Sequence, residues 1–340
     1  MTVATKSGQV KSRISIDGIA RLAGVSKSTV SNTFSGRKFV NPEVRERIQE
    51  VAARMGYRPH YAAKVLATRK TMMIGVLVSE LYNPNTSAIV QSFEQALLRR
   101  KYKMLLGLTY GSRERGIEYL EQFGTGMVDG IITTLPEVPF REAVRSSGTI
   151  PLMVWCSVAA GSPAILDHEA GINCALEHLW ELGHRRIGMI SLSSCVNVGP
   201  VSSESYVRFM NRKGMPVDES LLVGGDSHAQ SGYQLGSVLW QRGATAIFAR
   251  NDLMAFGVLK WAREAGVRVP EDLSVVGADD NPMATLVAPP LTTIQMPVDQ
   301  LTELTVRGLI DQIEGRPPRQ QELIIPRLIV RESTGPVSHP

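Results

Sequence analysis

ISIDGIARLAGVSKSTVSN, residues 14–32, decides how the first part of the chain folds. Ile16, Ile19, Ala20 and Ala23 recur at three- and four-residue spacing, the period of one helix face. Ser15 precedes them as an N-cap whose side-chain oxygen can accept a backbone N–H, and Asp17 puts negative charge in the first turn. Gly24 ends this helix, because glycine enters a left-handed turn without a Cβ penalty. Ser26 then caps a second helix, with Val30 facing inward. Small residues at Ala20 and Gly24 allow the close crossing that a helix-turn-helix requires. Lys27, Ser28, Thr29 and Asn32 fall on the outer face of the second helix, where they can reach bases or phosphates.

Downstream, Asn41 caps a third helix with Pro42 at its first position and Glu43 near its positive end. Ile48, Val51 and Ala52 form the inward stripe, and Gly56 stops it. After Tyr57-Arg58-Pro59, the segment His60 to Thr68 has helix formers but too few apolar residues to pack alone, which predicts a marginal helix that folds on contact with DNA. Charge separates the same way: up to residue 70 there are 14 Lys and Arg against 4 Asp and Glu, and beyond it 23 against 28. Only the head is built for a polyanion.

The run from Ile14 to Asn32, with Val40-Asn-Pro-Glu-Val-Arg-Glu-Arg-Ile48 and Gly56-Tyr-Arg-Pro59, resembles the DNA-binding head of the lac-repressor (LacI) family. That resemblance implies that Ser15 binds phosphate and that Lys27, Ser28 and Asn32 read the major groove. It further implies that Ala63 and Leu66 of a hinge helix enter the minor groove, with Leu66 as a wedge that unstacks a base step. One departure is Gly18, which stands where the family carries an acidic residue, Asp17 preceding it instead. The expected organisation is a mobile arm over residues 1–12, a helix-turn-helix domain over 13–58, a hinge helix and linker over 59–71, and a two-lobed effector-binding and dimerisation domain over 72–335.

The remainder alternates short apolar runs with helical segments: Met73–Val78, Met104–Leu108, Gly130–Ile132, Pro151–Trp155, Arg186–Ile190, Ala246–Ala249 and Leu273–Gly277. Such runs read as buried parallel strands, and the polar stretch from Ser157 to Ser162 marks the start of a second α/β lobe. The fold class expected is an all-α helix-turn-helix head plus hinge helix, joined to an α/β two-lobed periplasmic-binding-protein-like body with parallel sheets. The resemblance continues through Asp167-His-Glu-Ala-Gly171, Asn251-Asp-Leu-Met-Ala255, Val269–Asp280 and Arg331-Glu-Ser333. It implies that the chain crosses between lobes more than once, with Thr292 to Pro317 returning to the first and Leu323 to Val330 to the second.

Ligands of open α/β sheets bind beyond the carboxyl ends of strands, which brings Tyr82, Asn83, Thr134, Trp155, His168, Asn251 and Asp279 towards one crevice. By the resemblance, Asn251 and Asp279 bond ligand hydroxyls; equally, Asn251 suits a helix cap, Asp279 a loop cap, and Trp155 a filler of the lobe interface. Ser202 stands where the family often has a ligand-gripping arginine, leaving Arg208 or Arg250 as substitutes. Asn85 follows Asn83-Pro84 in place of an aromatic residue, which makes the pocket wall more polar.

No apolar run approaches a membrane span, the N-terminus lacks a secretory h-region, and Cys156, Cys174 and Cys195 form no CxxC pair. A cytoplasmic protein with reduced cysteines and no metal or cofactor is therefore expected. An enzyme would need a motif such as GxGxxG after a strand, a P-loop or HExxH, and none occurs. A solute-binding protein for transport would have no use for a basic head. The reading is a transcriptional repressor that binds a near-palindromic double-stranded DNA operator as a homodimer, no heptad tail following Ser333, under control of a sugar or sugar-acid effector. The alternative is a degenerate sensor domain that answers to a protein partner.

Overall fold

The computed structural model describes residues 15–36, 38–57, 61–135, 137–155, 164–192, 199–318 and 320–337. The expected arm over residues 1–12 lies outside these, as do Cys156, Cys195 and the side chain of Ala63. Two compact units result, one ending at Thr71 and the other running from Met72.

The first unit is built from α1 (Ile16–Leu22), α2 (Lys27–Ser35), α3 (Pro42–Arg54) and α4 (Tyr61–Thr68). Ile19, Ala20, Ala23, Val30, Ile48, Val51 and Ala52 meet in one small core, completed by Ile16, Val25, Phe34 and Tyr57. Gly18 has a packing reason: a Cβ there would stand 3.2 Å from Met55 Cε, tighter than an ordinary contact. Helix α4 is closed locally, since the Tyr61 hydroxyl donates to the Thr71 carbonyl at 2.7 Å and the Thr68 hydroxyl to the Lys70 carbonyl at 3.1 Å.

The second unit begins with β1 (Met73–Val78), α5 (Pro84–Arg99), β2 (Lys103–Leu108), α6 (Arg113–Gln122), β3 (Gly130–Thr133), α7 (Phe140–Ser146) and β4 (Leu152–Val154). Their strands form a parallel sheet in the order β2-β1-β3-β4. Alternate residues of β1 serve opposite faces: Ile74, Val76 and Val78 pack with Phe93 and Leu97, whereas Leu77 packs with Leu120 and Phe123. Both faces are covered, so the strand is apolar throughout.

The second lobe holds β5 (Ala164–Leu166), α8 (His168–Glu181), β6 (Ile187–Leu192), α9 (Gly199–Arg212), β7 (Leu222–Gly225), α10 (Ala229–Gln241), β8 (Ala246–Ala249), α11 (Asp252–Ala265), β9 (Ser274–Asp279) and β10 (Thr292–Gln295). After it come α12 (Val298–Ile313), β11 (Glu322–Ile324) and β12 (Arg327–Ile329). The larger sheet runs β12-β10-β9-β8-β6-β7, parallel except for β12, and β11 pairs with β5 in a separate two-stranded sheet. Helices α10 and α11 cross at glycines: a Cβ on Gly232 would lie 2.0 Å from the Met254 carbonyl oxygen, and one on Gly257 would lie 1.9 Å from that of Ala229.

The expected return to the first lobe from Thr292 is corrected by this topology. Thr292–Gln295 remains in the second sheet, with Thr292 opposite Val276 in β9 and Thr293 opposite Ile329 in β12. Its β-branched residues are buried there, and the Thr293 hydroxyl donates to Asp252 at 2.6 Å. The return is made by α12, whose Val306, Leu309 and Ile310 join the core of β1 and α5. Polar ties reinforce it: Ser92 donates to Asp299 at 2.7 Å, and Arg99 and Arg100 both pair with Glu303.

Candidate nucleic-acid interface and ligand cleft

Two helix starts converge on one side of the head. The Ser15 hydroxyl oxygen accepts from the Gly18 N–H at 3.4 Å to cap α1, and that of Ser26 accepts from the Thr29 N–H at 3.1 Å to cap α2. Ser15, Ile16, Asp17, Lys27, Ser28 and Ser31 line a shallow depression between these starts. Three residues expected at DNA, Ser15, Lys27 and Ser28, therefore share one exposed surface. Lys27 Nζ is held 2.5 Å from the Asp17 carboxylate, and the Thr29 hydroxyl lies 2.8 Å from that of Ser26, so Thr29 shapes the cap. Asn32 is half-buried on α2, one turn before its left-handed C-cap Gly36 at φ +68°. Ala63 and Leu66 lie on α4, and the Leu66 side chain is 80% exposed. Phe39, 88% exposed in the connection between α2 and α3, and Leu22, exposed on α1, are further apolar residues at the surface of the basic head that escaped sequence reasoning.

In the body, Arg250 follows β8 and is buried, and its Nη2–H donates to His168 Nδ1 at 2.9 Å. Burial, and then the adjacent guanidinium, push the His168 pKa down to about 3. The ring is thus neutral, with Nδ1 as acceptor and the proton on Nε2, which has no hydrogen-bond partner among the described residues. Arg250, His168 and Asp279 line a cavity of about 20 Å³ together with Leu166, Ile172 and Met296, a volume that suits one water rather than a sugar ring. Trp155 packs beside Leu166 and Met296, its ring 6.2 Å from that of Phe93, and its indole N–H is likewise buried without a partner among the described residues.

Asp279 ends β9 at φ +121° and Asp280 follows at φ +55°, a left-handed conformation that costs free energy and has to be held by its surroundings. Asp252, which sequence reasoning passed over, does part of the holding. Fully buried at the start of α11, it accepts from the Thr293 hydroxyl at 2.6 Å and the Asn281 N–H at 2.7 Å. Gly277 leaves room for it, since a Cβ there would stand 2.1 Å from Asp252 Oδ1. Arg331 and Gln295 complete the support by donating to Asp280 at 2.6 and 2.9 Å. Burial raises the pKa of both Asp252 and Asp279; at Asp279 the Asp252 charge adds to the rise and Arg250 opposes it, whereas at Asp252 the hydrogen bonds from Thr293 and Asn281 oppose it.

The other candidates are distributed differently. The Asn251 amide oxygen caps α11 through the Met254 N–H at 2.8 Å, and its Nδ2–H donates to the Ser227 carbonyl at 2.9 Å. Asn83 caps α5, and the Thr134 N–H donates to the Leu77 carbonyl at 2.9 Å at the end of β3. Tyr82 is exposed and stacks on His228 at 6.3 Å between centroids. Ser202 is buried within α9, away from the lining of the Arg250 cavity. Arg208 is paired with Glu169 at 2.9 Å and Glu204 at 3.4 Å on an exposed face, so it does not supply the cavity with a cation; Arg250 does.

Comparison with known proteins fits this division. Residues 15–60 match the family model described as bacterial regulatory proteins, lacI family, and residues 176–334 match a periplasmic binding protein-like domain. The ribose operon repressor of Escherichia coli (strain K12) is 32% identical over 323 residues, covering 93% of this chain and 98% of the repressor. The HTH-type transcriptional repressor PurR of Haemophilus influenzae (strain PittEE) is 30% identical, covering 94% and 98%. Among solved structures, the lac repressor dimer bound to operator and the anti-inducer ONPF superposes with a TM-score of 0.82 at 26% identity, covering 95% of this chain and 99% of that one. A LacI family transcriptional regulator from Enterococcus faecium with bound ribose gives 0.70 at 28% identity, covering 78% and 99%. An exposed helix-turn-helix face, two parallel-sheet lobes and identity across nearly the whole chain lead to one conclusion: this protein belongs to the LacI family of bacterial regulatory proteins.

Proposed function

We propose that the chain is a sequence-specific transcriptional repressor that binds a near-palindromic operator as a homodimer and releases or grips it according to a small hydroxylated metabolite in the cleft. The observation that carries this reading is the exposed Ser15, Lys27 and Ser28 surface at the paired helix starts, on a head whose charge is strongly basic. Two such heads related by a dyad would read two half-sites, which multiplies affinity and fixes spacing. Leu66 would act as the minor-groove wedge and Ser15 as a phosphate ligand. Acting on bacterial DNA places the protein in the cytoplasm.

For the effector, Asp279 accepts from ligand hydroxyls, while Arg250, the His168 Nε2–H and the Trp155 indole N–H donate to ligand oxygens. This mixture of donors and one carboxylate suits a sugar or sugar acid better than a purely apolar ligand. Asn251 contributes as a positioning residue. His168 is a poor general base because Arg250 occupies its free nitrogen, which favours a binding site over an enzyme. The small cavity implies that the ligand widens the space it enters.

The test is a thermal-shift screen of the intact protein against ribose, other sugars, sugar acids, polyols and purines, paired with selection of bound sites from random duplex DNA. A ligand at 100 times its Kd should add about 2.7 kcal/mol of stability. Asp279→Ala should remove that shift while leaving apo operator affinity intact. Silence across the panel, with operator selection succeeding, would favour a sensor that answers to a protein partner. Failure to select any dyad-related sequence would overturn the repressor reading itself.

A further inference from the structure

The loop after β1 and the loop after β7 lie at the carboxyl ends of their strands, on the side of the sheets that also carries Arg250 and Asp279. They belong to different lobes, yet their side chains meet. The Tyr82 ring stacks on the His228 ring with centroids 6.3 Å apart and planes inclined at 27°. On the same histidine, Nε2 stands 3.6 Å from a Glu80 carboxylate oxygen, and Nδ1 stands 3.5 Å from Oδ1 of Asp226. We propose that Glu80 and Tyr82 on the first lobe, and Asp226 and His228 on the second, form a latch that holds the lobes together at the cleft mouth independently of any ligand.

Both jaws are anchored to their own lobe, which a latch requires. On the first, the Ser79 hydroxyl donates to Glu137 at 3.1 Å, the Tyr110 N–H donates to the Ser79 carbonyl at 2.7 Å, and the Ser87 hydroxyl donates to the Leu81 carbonyl at 2.9 Å. On the second, the Asp226 carboxylate accepts from the His228 N–H at 2.9 Å. Ser227 sits between them at φ +77°, a left-handed residue without the usual glycine, and the Asn251 amide fixes it by donating to its carbonyl at 2.9 Å. Asn251 is the next residue after Arg250. A ligand that moves the end of β8 therefore pulls on the strained residue that presents His228, so filling the cleft and releasing the latch are mechanically adjacent events. That regulatory consequence rests on the cleft reading above; the latch itself does not.

Amide hydrogen exchange on the intact, ligand-free protein tests it. Tyr82→Ala and His228→Ala should each speed exchange by about fivefold, the scale of one exposed aromatic contact, at the amides of Arg250 and Asp280, which bond the Ile190 carbonyl and the Thr293 hydroxyl at the strand ends bordering the cleft. The double variant should be no faster than His228→Ala alone, because that substitution already removes the ring contact with Tyr82 along with the Glu80 contact. Tyr82→Phe, which keeps the ring, should exchange like the parent. Exchange in the buried interior of β1 and β8 should stay unchanged in every variant. Unchanged cleft exchange in the singles, multiplicative effects in the double, or acceleration spread through the strand interiors would each overturn the latch. None of these readouts uses an effector or DNA, so a failed ligand screen and a failed latch are separate results.

Discussion

His168 is the residue whose surroundings decide most. Buried against Arg250, it stays neutral in the folded protein with a pKa of about 3, whereas an unfolded histidine has the ordinary value of 6.5. The unfolded chain binds the extra proton first, so this group subtracts stability progressively as pH falls from about 6.5 towards 3. Asp252 works the other way: its folded pKa is raised, so its contribution is fullest at low pH and is lost as pH rises through the folded value. Replacing His168 with Gln, which keeps an acceptor for Arg250, should flatten the acid-side decline; urea melts at intervals between pH 4 and 7 would measure it, and parallel curves for the two proteins would refute the assignment. At the head, Leu66→Ala should lower discrimination between operator and random DNA by about tenfold while changing non-specific affinity little, since the wedge acts only at a deformable step; equal losses in titrations of both DNAs would remove Leu66 from that role. How far such residues are legible in a sequence differs with the range of their partners. Asn251 is readable as a cap from the helix it begins, and its bond to Ser227 is not. Asp252 looks like any acidic residue in a first helical turn until Gly277, Asn281 and Thr293 fold around it.

Among elements, the strands with continuous apolar runs, β1, β8 and β9, stand out in the sequence because both their faces are covered. The strand β7, Leu222–Gly225, ends in two glycines, and β5 has three residues, so neither carries a period long enough to read. For β10, two successive threonines hide a buried strand, and their hydroxyls are satisfied by residues distant in sequence: Thr293 donates to the Asp252 carboxylate at 2.6 Å, and Thr292 accepts from the Arg331 N–H at 2.9 Å. Helix contacts depend on single atoms in a way no periodicity reports. Gly257→Ala should wedge α10 and α11 apart and cost about 1–3 kcal/mol of stability, the usual toll of overpacking. Equilibrium denaturation would show it as a lower midpoint at unchanged slope, and an unaltered midpoint would mean that the crossing relaxes without strain.

For the whole molecule, sensing has to be reciprocal: an effector that changes operator affinity by about 5- to 150-fold must have its own affinity changed by the same factor when operator is bound. Titrating a ligand found in the screen into free protein and into the operator complex would check this, and unequal factors would mean that one titration is reporting something other than the shared two-state equilibrium. The basic head adds a salt dependence, each phosphate it neutralises contributing about −0.9 to the slope of log affinity against log salt. The broad architecture of head, hinge and two lobes is readable from motifs and charge, whereas the exact point of return to the first lobe is not, because it depends on which sheet claims Thr292–Gln295. That return has a consequence during synthesis. Helix α12 completes the first lobe only after most of the second has been made, and β12 completes the second sheet later still, at Arg327–Ile329. The head, whose core is closed by Tyr57, can fold as soon as it leaves the ribosome. A growing polypeptide thus carries a finished DNA-reading surface long before either half of its sensor is whole, and truncated products of translation would be heads that meet a single half-site, with neither a regulator nor a dimer contact to seat a pair of them on a dyad.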